Sequence, residues 1–214
     1  CESVKSASVS LTVKEKPSVP VDIKVNGGTT ASICEGETAT LSGSCSKGNL
    51  TWYLGNSSTP LTSTTLSGLS AGTYTYTASC ILAGCESVKS ASVSLTVKEK
   101  PSVPTNISVS SSSICQGSTA TLNATGCTGG TLTWYKANGE VQASTVLSGL
   151  TPGTYKYTVT CKKDGCESAK SAEVTLTVNQ NPVVSATGTD VTCNGQNNGE
   201  VKAISSLGTP LYTF

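Results

Sequence analysis

The sequence contains no histidine and no methionine, one phenylalanine and two tryptophans, and aromatics make up only 5% of its 214 residues. Without histidine there is no Ser-His-Asp or Cys-His arrangement to activate a nucleophile. Aspartate occurs only as Asp22, Asp164 and Asp190, too sparse for the clustered carboxylates that calcium needs. Charge of one sign is missing too: 14 basic and 13 acidic residues leave a net charge of +1 without a run of either. A nucleic-acid partner would require a basic stripe, so none is expected. No apolar run reaches transmembrane length, and no segment sustains apolar residues at a helical period.

What is abundant points elsewhere. Serine and threonine supply nearly a third of the chain, and Thr, Val, Tyr and Ile outnumber good helix formers in most segments, a composition that suits pleated, half-solvated strands. Ten cysteines with no histidine indicate disulfides in an oxidising, extracellular setting rather than a zinc site, because no Cys pair has the short spacing of metal ligands. The sequence begins and stops in mid-pattern and shows no signal peptide, which suggests an excerpt of a longer exported protein.

The chain repeats itself. CESVKSASVSLTVKEKPSVP at 1–20 recurs unchanged at 85–104, and CESAKSAEVTLTVNQNPV begins a looser copy at Cys166. ICEGETATLSGSC (33–45) answers to ICQGSTATLNATGC (114–127), LTWYLGN to LTWYKAN, and LSGLSAGTYTYTASC to LSGLTPGTYKYTVTC, with a period of 81 to 84 residues. Such identity is the mark of an array whose units fold individually. Pro-containing joints place the boundaries: 1–20 as the C-terminal strand of a preceding repeat, 21–100 and 101–181 as complete repeats, and 182–214 as the start of a different module. Proline stiffens such short joints.

Each repeat alternates. Tyr74, Tyr76, Ala78 and Cys80 share one face of their strand, Ala91, Val93, Leu95 and Val97 one face of theirs, and Leu50, Trp52 and Leu54 alternate with Thr51 and Tyr53. One dry and one wet face per strand is what two packed antiparallel sheets require. About seven short strands in some 80 residues make the expected fold all-β: tandem immunoglobulin-like antiparallel β-sandwich domains. L-x-x-G-T-Y-x-Y before Cys80 looks like a tyrosine corner, although Trp52 follows Cys45 too closely for an antibody domain.

Four cysteines per repeat allow three connectivities. Cys45 and Cys80 end strands of opposite sheets at one pole, so they are expected to bridge the sheets beside Trp52, with Cys127–Cys161 as the copy. Pairing Cys34 with Cys45 would close an extended strand of about 23 Å onto a Cα separation of roughly 4–7 Å. Elimination leaves Cys34–Cys85 and Cys115–Cys166, a choice strained by the nominally opposite poles of those residues in an immunoglobulin topology.

The last segment, VTCNGQNNGEVKAISSLGTPLYTF (191–214), resembles the opening of the SprB repeat found in very large surface adhesins of gliding Bacteroidetes. There, too, a cysteine and a Gly/Asn-rich loop precede a strand, and a Gly-x-Pro-x-Tyr turn follows. The two repeats before it are similar to the Ig-like domains of the same giant proteins, with their C-x-G…WY…GTY…GC-x-S skeleton. The resemblance implies a cell-surface, outer membrane-associated adhesin, exported by the type IX system and serving gliding motility. It also implies that a Cys34–Cys85 type of bridge is the older one and Cys45–Cys80 the added one, with Cys193 matching the first cysteine of the family.

No enzyme is expected. Glu35 and Glu37 could suggest a carboxylate pair, but Gln116 and Ser118 replace them in the next copy. The expected role is a structural stalk segment of a large repetitive adhesin or filament. The alternative is a carbohydrate-binding module in which Tyr53 and Tyr135, in the outward phase, stack on sugars. The expected partners are neighbouring repeats of the same chain, and surface polysaccharide or the outer-membrane motility machinery. No cofactor is expected.

Overall fold

The computed structural model describes residues 1–208 and contains only β-strands as regular elements. The Gly-x-Pro-x-Tyr turn expected at 208–212 therefore lies mostly outside the described residues. The chain divides into two compact units, Cys1–Lys100 and Pro101–Phe214.

In the first unit β1 (Val21–Val25), β3 (Ala39–Ser44) and β5 (Thr65–Leu66) form one sheet in the order β1-β3-β5. The facing sheet has the order β2-β8-β6-β4, built from β2 (Thr30–Cys34), β8 (Val93–Lys98), β6 (Gly72–Leu82) and β4 (Asn49–Leu54). A short β7 (Cys85–Glu86) extends β6. β2 runs parallel to β8, with Cys34 opposite Lys98, whereas the other pairs are antiparallel. The first strand region is thus divided between the sheets at Asn26-Gly27, where both residues have positive φ. Asn and Gly tolerate that conformation with least strain.

The alternation read from the sequence sets the core. Val93, Leu95 and Val97 of β8 form one buried cluster with Trp52, Tyr76 and Ala78 of the same sheet and Leu41 of the facing one. The second unit repeats the plan with β9 (Thr105–Val109), β10 (Ser113–Cys115), β11 (Ala120–Thr125), β12 (Thr131–Lys136), β13 (Val141–Gln142), β14 (Val146–Leu147), β15 (Gly153–Lys163), β16 (Cys166–Glu167) and β17 (Val174–Asn179). Its sheets are β14-β11-β9 and β10-β17-β15-β12-β13, around Trp134, Tyr157, Val159 and Leu176. The tyrosine corners are present: Tyr74 donates to the Ser70 carbonyl at 3.0 Å and Tyr155 to that of Thr151 at 2.9 Å. All-β Ig-like sandwiches are what the strand patterns demanded.

Residues 1–20, identical to 85–104, contain no strand, whereas Val93–Lys98 of the copy is β8. The difference is one of partners. β8 pairs with β6 on one side and β2 on the other, but among the described residues the first copy has no such neighbours, and an unpaired strand cannot satisfy its backbone. It lies against the first unit instead through a Lys47–Glu15 ion pair and a Lys14 hydrogen bond to the Ala83 carbonyl. Beyond the second sandwich, β18 (Val183–Thr189) and β19 (Glu200–Ser206) form a two-stranded antiparallel hairpin, a pairing with no counterpart at the same place in the first unit.

Candidate functional site

Two features carry polar chemistry in both units: the cysteines at the poles and a tyrosine-centred cluster on the outer face of the larger sheet.

The chain enters the first sandwich at Val21, opposite Ser44, and leaves at Lys98, opposite Cys34. At the N-terminal pole Cys45, one residue past β3, is joined to Cys80 of β6 with a Cα separation of 5.8 Å. Cys127 and Cys161 are joined at 5.4 Å in the second unit. Each bridge ties one sheet to the other where the chain comes in. Gly48 and Gly130 follow the first cysteine of each bridge; a Cβ on Gly130 would fall 3.0 Å from both Cys127 Sγ and Cys161 Sγ, which explains a small residue there.

The other four cysteines do not pair as expected. Cys85 and Cys115 are free thiols, so the Cys34–Cys85 and Cys115–Cys166 bridges are not formed. Cys34 and Cys166 are each disulfide-bonded. The reason is distance. Cys34 lies level with Lys98, and the neighbouring Val97 with Gly72 at the start of β6, whereas Cys85 is opposite Leu82 at its far end. Between those levels β6 runs its full 11 residues, about 33 Å of strand, against the roughly 4–7 Å a disulfide spans. In the second unit Cys115 is opposite Asn179 and Cys166 opposite Lys163, again at the two ends of an 11-residue strand, β15. The opposite poles override the elimination argument.

Tyr53 is the second correction. It is buried, not presented to solvent. Its hydroxyl donates to Glu86 Oε1 at 2.8 Å, Ser79 Oγ donates to the same oxygen at 2.6 Å, and Lys89 Nζ lies 4.1 Å from the ring centroid. Lys89 then reaches the Ser57 carbonyl at 2.6 Å, closing a strap over the ring. The second unit repeats this: Tyr135 donates to Glu167 Oε1 at 2.6 Å, Thr160 does the same at 2.6 Å, and Lys170 lies 5.1 Å from the ring. Lys162 adds an ion pair to Glu167 at 3.6 Å. Tyr135 is half-buried, and like Tyr53 its ring face is occupied by lysine and its hydroxyl by glutamate. Neither offers a free stacking platform.

Electrostatics follow from these contacts. Burial raises the Tyr53 hydroxyl above its ordinary range; the Ser79 hydrogen bond opposes that shift and the Glu86 carboxylate adds to it. Hydrogen bonds from Ser79 and Tyr53, then the charge of Lys89, hold Glu86 below the usual carboxylate range. For Glu167 partial burial pushes the other way, but the hydrogen bonds from Thr160 and Tyr135 and the Lys162 charge prevail, and its pKa is lowered.

The C-E-S-x-x-S motif is explained by the same region. Past the Ala83-Gly84 turn the chain pairs only briefly as β7, and serine side chains then take over the ladder. Ser87 Oγ accepts the Cys80 N–H at 2.9 Å and donates to the Val88 carbonyl, and Ser90 Oγ accepts the Ala78 N–H at 3.0 Å. Ser168 and Ser171 do the same for Cys161 and Val159.

Glu35 and Glu37 are backbone caps. Glu35 Oε1 accepts the Ala71 N–H at 2.8 Å and Glu37 Oε2 the Cys34 N–H at 2.9 Å. Trp52 and Trp134 are core residues. Among the described residues no group of His, Cys, Asp and Glu is placed to hold a metal ion, and no helix is long and apolar enough to cross a membrane.

No curated protein matches the chain. Among solved structures it is similar to the fibronectin(III)-like modules of Clostridium thermocellum CbhA, at 17% identity and a TM-score of 0.44 over 74% of this chain and 94% of that one. It is also similar to the FN1–FN3 domains of chicken CNTN1, at 14% identity and a TM-score of 0.42 over 75% and 65% of the two chains. Murine CEACAM1b is similar at 12% identity and a TM-score of 0.37, over 69% and 95%. No catalytic family is indicated. Residues 101–182 match the family described as the CHU_C-associated Ig-like domain, and together with the strand topology this establishes a chain built of Ig-like domain modules.

Proposed function

We propose that the chain is a structural stalk segment of a large, repetitive bacterial cell-surface adhesin or filament, serving gliding motility and not catalysis. One observation supports this above the others. Each sandwich takes the chain in at one pole and releases it at the other, with an inter-sheet disulfide at the N-terminal pole. A pull on the chain is therefore carried lengthwise through a unit, and the residues between the bridged cysteines are shielded from it.

The 20-residue identity of 1–20 and 85–104 supports a unit that serves by being many. The carbohydrate-binding alternative loses its footing, since Tyr53 and Tyr135 are engaged by Glu86, Lys89, Glu167 and Lys170. Export by the type IX system, an outer-membrane location and contact with the motility machinery remain part of this proposal through the resemblance to SprB-type adhesins.

The test is to remove one repeat, residues 85–165, in frame from the parent polypeptide. On the stalk reading the shortened protein is exported, reaches less far from the cell in electron micrographs and still adheres. Loss of adhesion with export intact would assign the binding function to these units and overturn the reading.

A further inference from the structure

The first strand region of each unit holds its sandwich through two separate ladders, and the two are unequal. In the first unit β1 pairs with β3 at Val21, Lys24 and Val25, and a bulge at Asp22, whose φ is +54°, interrupts the register. β2 pairs with β8 along its whole length of 5 residues, from Thr30 opposite Ser94 to Cys34 opposite Lys98. Two further bonds extend that ladder at its ends: the Ser94 N–H donates to the Thr29 carbonyl and the Glu35 N–H to the Lys98 carbonyl, both at 2.9 Å. In the second unit the bulge recurs at Asn106, with φ +52°, but β10 offers β17 only 3 residues, Ser113–Cys115. Its ladder ends where the Thr177 N–H reaches the Ser112 carbonyl at 2.9 Å.

Direction matters as much as length. The chain enters the first unit at Val21 and leaves it after Lys98, at the opposite pole. Tension draws β1 and β2 towards the entry and β8 towards the exit. Bonds between parallel strands are evenly spaced along the pair, so this sliding loads all of them together and none opens singly from an end. β8 is held on its other side by β6, from Gly72–Val97 to Tyr76–Val93. The N-terminal strands have only the bulged β1–β3 ladder besides β2–β8.

We propose that the parallel pair is the force-bearing clamp of each unit, and that the second unit, with the shorter clamp, yields first under tension. The cause lies in two residues. Ile33-Cys34 and Ile114-Cys115 are the same in both copies, but Thr30-Ala31 of the first is Ser111-Ser112 in the second. Ser111 Oγ donates to the Ser113 carbonyl at 2.7 Å, a local bond that competes with extension of the ladder. Threonine at position 30 favours the strand. The chain thus carries one strong and one weak unit. The weak one releases length at low load, and its Cys127–Cys161 bridge limits how much.

This inference rests on the lengthwise loading proposed above, and the experiment separates the two. The full chain is stretched from its ends with reductant present, so that no disulfide shares the load. Two unfolding events of unequal force are expected per molecule. Ser111→Thr combined with Ser112→Ala should raise the lower force to that of the higher event and leave the higher one unchanged. The reciprocal Thr30→Ser with Ala31→Ser should lower the higher force. Two events in a variant's traces show that both of its units have folded, and forced unfolding reads the barrier along the pull, not equilibrium stability. Equal forces in the native chain overturn the proposal. So does a lower force that Ser111→Thr with Ser112→Ala leaves unmoved, or a shift of the higher force in its place. The stalk reading stands in each of those cases, because removal of residues 85–165 tests it independently. Loss of adhesion on that removal would sink the stalk and leave the clamp.

Discussion

Cys34 and Cys85 stand at opposite ends of one sheet, the first opposite Lys98 and the second opposite Leu82. That separation decides which cysteines can stabilise a unit from within. Cys45–Cys80 and Cys127–Cys161 do so in the two sandwiches.

The stabilising role of the inter-sheet bridge is measurable. Cys45→Ser opens a loop with a sequence separation of 35. On the chain-entropy relation this should cost the first unit about 4 kcal/mol. Calorimetry should show its transition falling well below that of the second unit, which keeps Cys127–Cys161.

Ser87 replaces a missing strand, and its removal should show that. Ser87→Ala leaves the Cys80 N–H in a buried position without its acceptor, at a cost of about 1–3 kcal/mol. Hydrogen exchange at the Cys80 amide should accelerate, whereas a surface substitution such as Ser58→Ala should leave it unchanged.

Glu86 should make the first unit acid-sensitive. Its folded-state pKa lies below the ordinary value of 4.5, so its contribution is complete above that value and is lost as pH falls through the folded-state pKa. Urea midpoints of the native protein and of Glu86→Gln should differ by a constant amount at neutral pH and converge as the pH falls below about 4. Tyr53, raised above its ordinary value of 10.0, works in the opposite direction. Its contribution is present below that value and is lost as pH rises through its folded-state pKa.

Gly48 is required twice over, by its φ of +86° and by the Ile81 carbonyl where a Cβ would stand. Gly48→Ala should destabilise the first unit by at least about 1–3 kcal/mol. Gly36→Ala, at φ +84° with open space around it, supplies the comparison for the backbone cost alone. The two melting temperatures should differ, with Gly48→Ala lower.

Much of the sandwich was legible because strand alternation is a local property. Val93, Leu95 and Val97 are buried in the phase their spacing implies, and the Gly-Thr-Tyr signature located both tyrosine corners. Tyr53 was misread for a related reason. Its phase is indeed away from the core, but the strap of Glu86 and Lys89 that covers it comes from an aperiodic segment with no local signal. The link that was available is that Glu86 and Glu167 recur at the same offset from their cysteines. The pole cysteines do not pair as elimination suggests because parallel pairing of β2 with β8 carries Cys34 to the end farthest from Cys85. Residues 1–20 show the limit from the other side: the same twenty residues form β8 beside β6 and no strand without it.

The claim at the centre of this account is that the units are built to carry load along the chain. Single-molecule stretching from the two ends tests it directly. The Cys45–Cys80 bridge, with its sequence separation of 35, hides from extension about 120 Å of chain in the first unit. Unfolding steps should therefore be short under oxidising conditions, and reductant should lengthen them by at least that amount. Equal steps with and without reductant would contradict the account.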